Sequence, residues 1–203
     1  PKISLNEDWI FKYKNYLDSP TDSSYYVKGF KRRLIGNFTL SANTNFYGIL
    51  PFKIGNLNAI RHIITPSISF NYQPDFSNSK FGGNSYFKNG NISHDYFSDS
   101  YVGNTAVGEK QVYSLVVNND FQAKVKGEND TYNKIRFLTW SSTISYSPLK
   151  ETKQITDLKS NFRIKNANTD LLQINTKHSI YVINDHNGEA TNTLIDISSG
   201  EIP

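Results

Sequence analysis

The four histidines, His62, His94, His178 and His186, are the first residues to weigh for chemistry. None stands in the His-Glu-x-x-His spacing that turns two imidazoles toward one zinc ion. His94-Asp95, with Asp99 close behind, is the nearest approach to a metal-ligand cluster. In a stretch rich in Gly, Asn and Ser, such a cluster is more often simply solvated. The chain has no Cys, so thiol nucleophiles, disulfides and Cys-based zinc sites are excluded. A Gly-x-Ser-x-Gly elbow and a phosphate-binding P-loop are also missing. Neither catalysis nor a cofactor is expected. The remaining candidates are cations: Arg61, Lys124, Lys126, Lys159, Arg163, Lys165 and Lys177. A guanidinium holds a carboxylate or phosphate in fork geometry, and a row of ammonium groups raises the local concentration of anions. For Arg61 a structural ion pair or interface position is the commoner role, and for the other six a merely hydrated face weighs about evenly against one that attracts anions. They act together only if the fold puts them on one surface.

Two-residue periodicity supplies such a surface. Phe38, Leu40, Ala42, Thr44, Phe46, Gly48, Leu50 and Phe52 alternate with Thr39, Ser41, Asn43, Asn45 and Tyr47. Alternate side chains of a strand point to opposite faces, so one face is apolar and the other small and polar. Gly55-Asn56-Leu57-Asn58 reads as a short turn. Beyond it, Ile60, His62, Ile64, Pro66, Ile68, Phe70 and Tyr72 alternate with Arg61, Ile63, Thr65, Ser67, Ser69, Asn71 and Gln73. Similar runs cover Ile3–Tyr13, Tyr113–Lys126, Thr139–Tyr146, Leu158–Lys165 and Leu172–Val182, with a weaker one at Thr191–Ile197. The expectation is about eight antiparallel strands. In this phase all seven cations fall on the polar faces, and His62 faces the other way. Pro66 lies mid-strand without an N–H, which predicts a bulge or a locally weakened seam. Pro74 stops pairing and Asp75 caps a turn, which predicts a structural corner.

Connections and composition narrow the class. Residues 15–33 and 74–110 read as long polar loops, 55–58 as a short turn and 127–134 as an intermediate connection, while those near 148–155, 166–170 and 184–189 are all brief. The 203 residues are 37% hydrophobic, 14% aromatic and 20% charged. That is a lean supply for a soluble core, but a membrane barrel needs only one apolar face per strand. No apolar run is long enough for a transmembrane helix. The net charge of +4 is spread along the chain. Lys28-Gly29-Phe30 is a fragment of an RNA-binding strand motif without the aromatics that should follow, so nucleic acid is not expected. Trp9, Tyr13, Tyr47, Phe52, Tyr72, Tyr113, Trp140 and Tyr146 fall near predicted strand ends, as rings at a water–lipid boundary would. A soluble sandwich using those rings as core remains the alternative.

Between Val27 and Ser79 the residues carry more than periodicity. Gly29-Phe30-Lys31-Arg32, Thr44-Asn45-Phe46-Tyr47-Gly48, Ala59-Ile60-Arg61-His62, Thr65-Pro66 and Tyr72-Gln73-Pro74-Asp75-Phe76-Ser77 follow one another in order. This block resembles the barrel region of the lipopolysaccharide-assembly protein D (LptD/OstA) family in its Bacteroidetes-type form. The resemblance is specific over about residues 3–80 and rests on strand pattern beyond. It implies an all-β, antiparallel section of a transmembrane β-barrel in the outer membrane of a Gram-negative bacterium. It also implies transport: insertion of lipopolysaccharide into the outer leaflet, in partnership with the lipid bilayer, a lipoprotein plug and the periplasmic bridge proteins. On that reading the seven cations line the path of a lipid bearing phosphates and acidic sugars. The chain opens at Pro1 and closes at Glu201-Ile202-Pro203 without a terminal aromatic residue, so residues 1–203 are expected to be a middle section of one barrel domain. A porin or receptor barrel with other cargo, or a soluble glycan-binding sandwich, are the alternatives.

Overall fold

The computed structural model describes residues 1–15, 25–88, 94–127, 131–166, 169–183 and 190–194. They form β1 (Lys2–Asn15), β2 (Tyr25–Asn43), β3 (Phe46–Ile54), β4 (Leu57–Gln73), β5 (Phe87–Lys88), β6 (His94–Asp95), β7 (Lys110–Lys126), β8 (Tyr132–Tyr146), β9 (Leu158–Asn166), β10 (Thr169–His178), β11 (Tyr181–Ile183) and β12 (Ala190–Leu194). Eight strands share one sheet in the order β1-β2-β4-β7-β8-β9-β10, with β3 also pairing β4. β1 with β2, β3 with β4, β7 with β8, β8 with β9 and β9 with β10 all pair antiparallel. The path ends at β1 and β10, so the described sheet is open. β2, β4, β7 and β8 contain 19, 17, 17 and 15 residues. The 9–11 or so that a tilted strand needs to cross hydrocarbon fit inside each of them.

Several predicted boundaries move. Residues 25–33 belong to β2 rather than to a loop. Their charges read as loop, but β1 supplies partners: Lys31 lies over the Tyr13 ring, and Arg32 and Arg33 meet Glu7 and Asp8. β8 begins at Tyr132, seven residues before the predicted Thr139. A register shift against β7 between Phe121 and Gln122 breaks the two-residue phase there. Trp9 and Trp140 consequently lie inside their strands, not at the ends. The predicted run Leu172–Val182 divides into β10 and β11, and β11 pairs with β12 in a separate small sheet. His186, residues 16–24 of the first predicted loop, and residues 195–197 of the last predicted strand lie outside the described residues.

The connections are more regular than expected. Along the main sheet, leaving aside the two-residue break at 44–45, they fall at 16–24, 55–56, 74–109, 127–131, 147–157 and 167–168, so long and short alternate. The third is not a bare loop. It carries a 3-10 turn at Ser79–Phe81, a helical turn at Gly83–Tyr86 and the β5–β6 pair.

Pro66 has an exact place in this pattern of breaks. β2 ends at Asn43 and β3 starts at Phe46, so the predicted continuous run from Phe38 to Phe52 is interrupted. At the gap the Thr44 N–H donates to the Pro66 carbonyl at 3.3 Å, and the Thr65 hydroxyl donates to the Asn45 side-chain oxygen at 2.7 Å. The missing Pro N–H therefore coincides with a break in the neighbouring strand, which limits the loss to one ladder position.

Two compact units divide the chain: residues 1–40 with 71–111, and residues 41–70 with 112–203. In the first, Ile10, Phe76, Tyr86 and Phe97 form a buried cluster, with Tyr13, Ile35, Tyr96 and Val102 packed on it. Tyr13 departs from its predicted row. The β1–β2 register shifts between Ile10 and Lys12, and past that bulge Tyr13 packs on Tyr96 at 5.1 Å instead of joining Ile3, Leu5, Trp9 and Phe11. Beside the cluster lies Arg33, only 2% exposed. Its Nε and Nη2 donate to Asp8 Oδ2 at 2.9 and 2.6 Å, and its Nη1 donates to the Gly103 carbonyl and the Thr105 hydroxyl at 3.0 and 2.9 Å. Phe97 lies over the guanidinium at 4.5 Å. These bonds fasten the 74–109 connection to the polar face of β1 and β2.

Pro74 and Asp75 make the expected corner, since β4 ends at Gln73. Asp75 Oδ1 accepts from the Ser77 hydroxyl at 2.6 Å and from the Ser77 and Gly108 N–H groups at 2.9 Å each. The Ser77 hydroxyl, first among these donors, holds the carboxyl below its usual value of 3.8. A depressed folded-state value stabilises the corner above pH 3.8, and that contribution is lost as pH falls below it. The protection factor of the Gly108 amide is therefore expected to fall on acidification below about pH 4. Asp75→Asn should exchange faster at neutral pH and show no such acid step. An unchanged Gly108 protection factor in the variant would show that the carboxylate does not hold the corner.

Candidate functional site

Register builds the polar surface of the second unit. Asn118, Ser141, Asn161 and Asn175 stand side by side across β7, β8, β9 and β10. Asp120, Thr139, Arg163 and Gln173 make the next rung, and Val116, Thr143, Lys159 and Lys177 the one on the other side. The rungs are bonded laterally. The Asn161 amide donates to the Asn175 side-chain oxygen, and Arg163 Nε donates to the Asn161 oxygen at 3.0 Å. Two concavities lie on this face. One of about 370 Å³ is lined by Asn118, Asp120, Arg136, Ser141 and Arg163. The other, of about 330 Å³, is lined by Thr143, Lys159, Asn175 and Lys177.

The predicted cations occupy four different situations. Lys165 is paired with Asp170 at 2.7 Å and Lys177 with Asp157 at 2.8 Å. Lys177 stands directly across from Lys159, so the Asp157 carboxylate relieves a like-charge pair. The hydrogen bond from Lys177 holds the Asp157 carboxyl below its ordinary value. Lys124 lies over the Tyr132 ring at 4.0 Å, and Arg61 over Tyr47 at 5.1 Å. Lys126 lies at the end of β7, where its N–H donates to the Asn56 carbonyl at 2.7 Å. Lys159 and Arg163 have no carboxylate partner within ion-pair distance among the described residues.

Arg136 was not among the predicted residues. Its Nε donates to both Asp120 oxygens at 3.0 Å, and its Nη2 lies 2.8 Å from Oδ2. It was hidden because the β7–β8 shift puts it out of phase with Thr139 and Ser141. Among the described residues no cluster could hold a metal ion. Asp95, the centre of the His94-Asp95 candidate, is occupied by the Thr105 N–H at 2.5 Å and the Phe97 N–H at 2.9 Å, and Asp99 pairs with Lys14 at 3.3 Å.

The opposite face of the same strands is apolar. Phe121, Leu138, Ile164 and Leu172 form one rung, and Trp140, Phe162 and Ile174 lie in another. Trp140 and Phe162 stack at 5.3 Å. Near one strand end Phe70, Tyr113 and Tyr146 make a row of rings, 4.8 and 6.2 Å apart. Nothing described covers this face: Trp140, Ile164, Leu172 and Ile174 are all 37–49% exposed. Polar groups within it are matched to one another. Ser142 and Ser160 share a 2.9 Å hydroxyl bond. His62 meets Asn119 at 3.0 Å and stacks on Phe121 at 4.0 Å.

A sheet with one polar and one uncovered apolar face is the geometry that the sequence motifs imply. A family model described as LptD protein matches residues 1–181. The chain belongs to the LptD family. That membership ties it to lipopolysaccharide transport and to a family associated with the outer membrane of Gram-negative bacteria. Searches of curated proteins and of solved structures return no match. The motif block that carried the resemblance, from Gly29 to Ser77, spans most of β2, all of β3 and β4, and the Asp75 corner.

Proposed function

We propose that this LptD-family chain is a section of an outer-membrane β-barrel that inserts lipopolysaccharide into the outer leaflet. Its role is transport rather than catalysis. The apolar rungs face hydrocarbon, and the Asn/Ser/Thr rungs with their cations face the water-filled path of the sugar headgroup. The observation that carries this reading is the sidedness of β7–β10: rungs of amides, hydroxyls and charges on one face, and uncovered Leu, Ile, Phe and Trp on the other. A water-soluble sandwich would bury that apolar row under a second layer. A lipoprotein plug and periplasmic bridge proteins are the partners that the family reading brings with it.

Lys159 and Arg163 are the residues through which the polar face would attract phosphates and acidic sugars. The double reversal Lys159→Glu with Arg163→Glu is expected to lower delivery of lipopolysaccharide to the cell surface by about tenfold or more, the lower end of electrostatic effects on encounter rates. Lys165→Glu should do less, because Lys165 is already neutralised by Asp170. Surface lipopolysaccharide is measured in cells producing the full-length protein at matched outer-membrane levels. Normal delivery by the double variant would remove these cations from the path.

A further inference from the structure

On the apolar side of the first unit, a cleft of about 620 Å³ opens beside β2, within the roughly 300–1,000 Å³ range of small-ligand sites. It follows a stretch of β2 whose edge away from β1 is met by a side chain. The Leu34 N–H donates to the Tyr86 hydroxyl, which in turn donates to the Leu34 carbonyl, both at 2.7 Å. Ile3, Leu5, Leu34 and Phe38 line the cleft from β1 and β2, Tyr72 from the end of β4 and Phe81 from the connection after it. Gly36 keeps it flat, because a Cβ there would stand 2.5 Å from the Ser4 carbonyl oxygen and 2.7 Å from Leu5 Cδ2. Two cations also line it, Arg32 and Lys80. Arg32 has one carboxylate neighbour, Glu7, at 3.5 Å, and its side chain is 64% exposed. Lys80 has no ion-pair partner among the described residues. The cleft is therefore lined mainly by apolar side chains, with two cations among them.

We infer that this cleft seats one acyl chain of an anionic glycerophospholipid, with the lipid phosphate between Arg32 and Lys80. Free phosphate has no use for the apolar lining, and a zwitterionic lipid gains little from two cations set against one carboxylate. An amphiphile with many chains exceeds the volume. The inference rests on the membrane-barrel reading, because the chain must come from a surrounding leaflet.

The test uses the full-length protein in nanodiscs of mixed phosphatidylglycerol and phosphatidylcholine, with retained lipid read by native mass spectrometry. Phosphatidylglycerol is expected to be retained in preference. Arg32→Gln with Lys80→Gln should cut its retention by roughly tenfold, since one hydrogen bond to a charged group is typically worth that much. Leu34→Trp, which fills the cleft and leaves both charges, should also lose the lipid. Equal retention of both lipids, or displacement of phosphatidylglycerol by inorganic phosphate alone, overturns the inference while the barrel reading stands. A protein that does not enter nanodiscs overturns both.

Discussion

Arg33→Met is expected to destabilise the protein by about 3–5 kcal/mol, the usual consequence of removing one partner from a buried ion pair. The side chains of Arg33 and Asp8 are only 2% and 10% exposed. Both guanidinium bonds to Asp8 disappear in the variant, and so do the donors that satisfy the Gly103 carbonyl and the Thr105 hydroxyl. Asp8 is then left as a carboxylate with little water and no cation. Much of the cost is that stranded charge, so Asp8→Leu with Arg33→Met together should cost less than Arg33→Met alone. Urea titration of the refolded full-length protein gives the free energies, and exchange at the Thr105 amide locates the damage. Wild-type stability in Arg33→Met, or strictly additive losses in the double variant, would mean that the pair does not hold the 74–109 connection to β1 and β2.

The second large effect tests sidedness. Ile164 lies in the central apolar rung between Leu138 and Leu172 and is 43% exposed. In a water-soluble sheet, Arg at so open a position would change stability by only about 0.5 kcal/mol. Facing hydrocarbon, it should cost about 2–4 kcal/mol near the bilayer midplane. Ser141→Arg, on the opposite face of the neighbouring strand, serves as the paired measurement. It points toward Asp120 and water in the proposed barrel and should cost little. Folding free energies measured in lipid vesicles therefore separate the two environments through substitutions on adjacent strands. Equal and small effects from both would end the membrane assignment for this face.

These experiments divide along the line between local and long-range information. The faces were legible because a strand's side chains alternate whatever the tertiary structure does. Phe38 and Leu40, or Phe162 and Ile164, share a face as soon as the segment is extended. The Gly55-Asn56 turn, the corner at Pro74-Asp75 and the motif block of the LptD family were legible for a similar reason: each is written in contiguous residues. Boundaries failed where a neighbour overrode the local pattern. Residues 25–33 read as loop until β1 met their charges, and Arg136 was out of phase until the β7–β8 bulge turned it toward Asp120.

Alternation alone determined that each strand carries one apolar and one polar face, and the motif block determined the family. Tertiary structure alone decided which cations are ion-paired and which polar groups are bonded to one another. Asp170 neutralises Lys165, Asp157 neutralises Lys177, and Arg33 reaches Thr105 across 72 residues of sequence. The physical reason is range. Extension places a side chain on a face within two residues, whereas an ion pair or a buried guanidinium depends on which distant segment the register brings alongside.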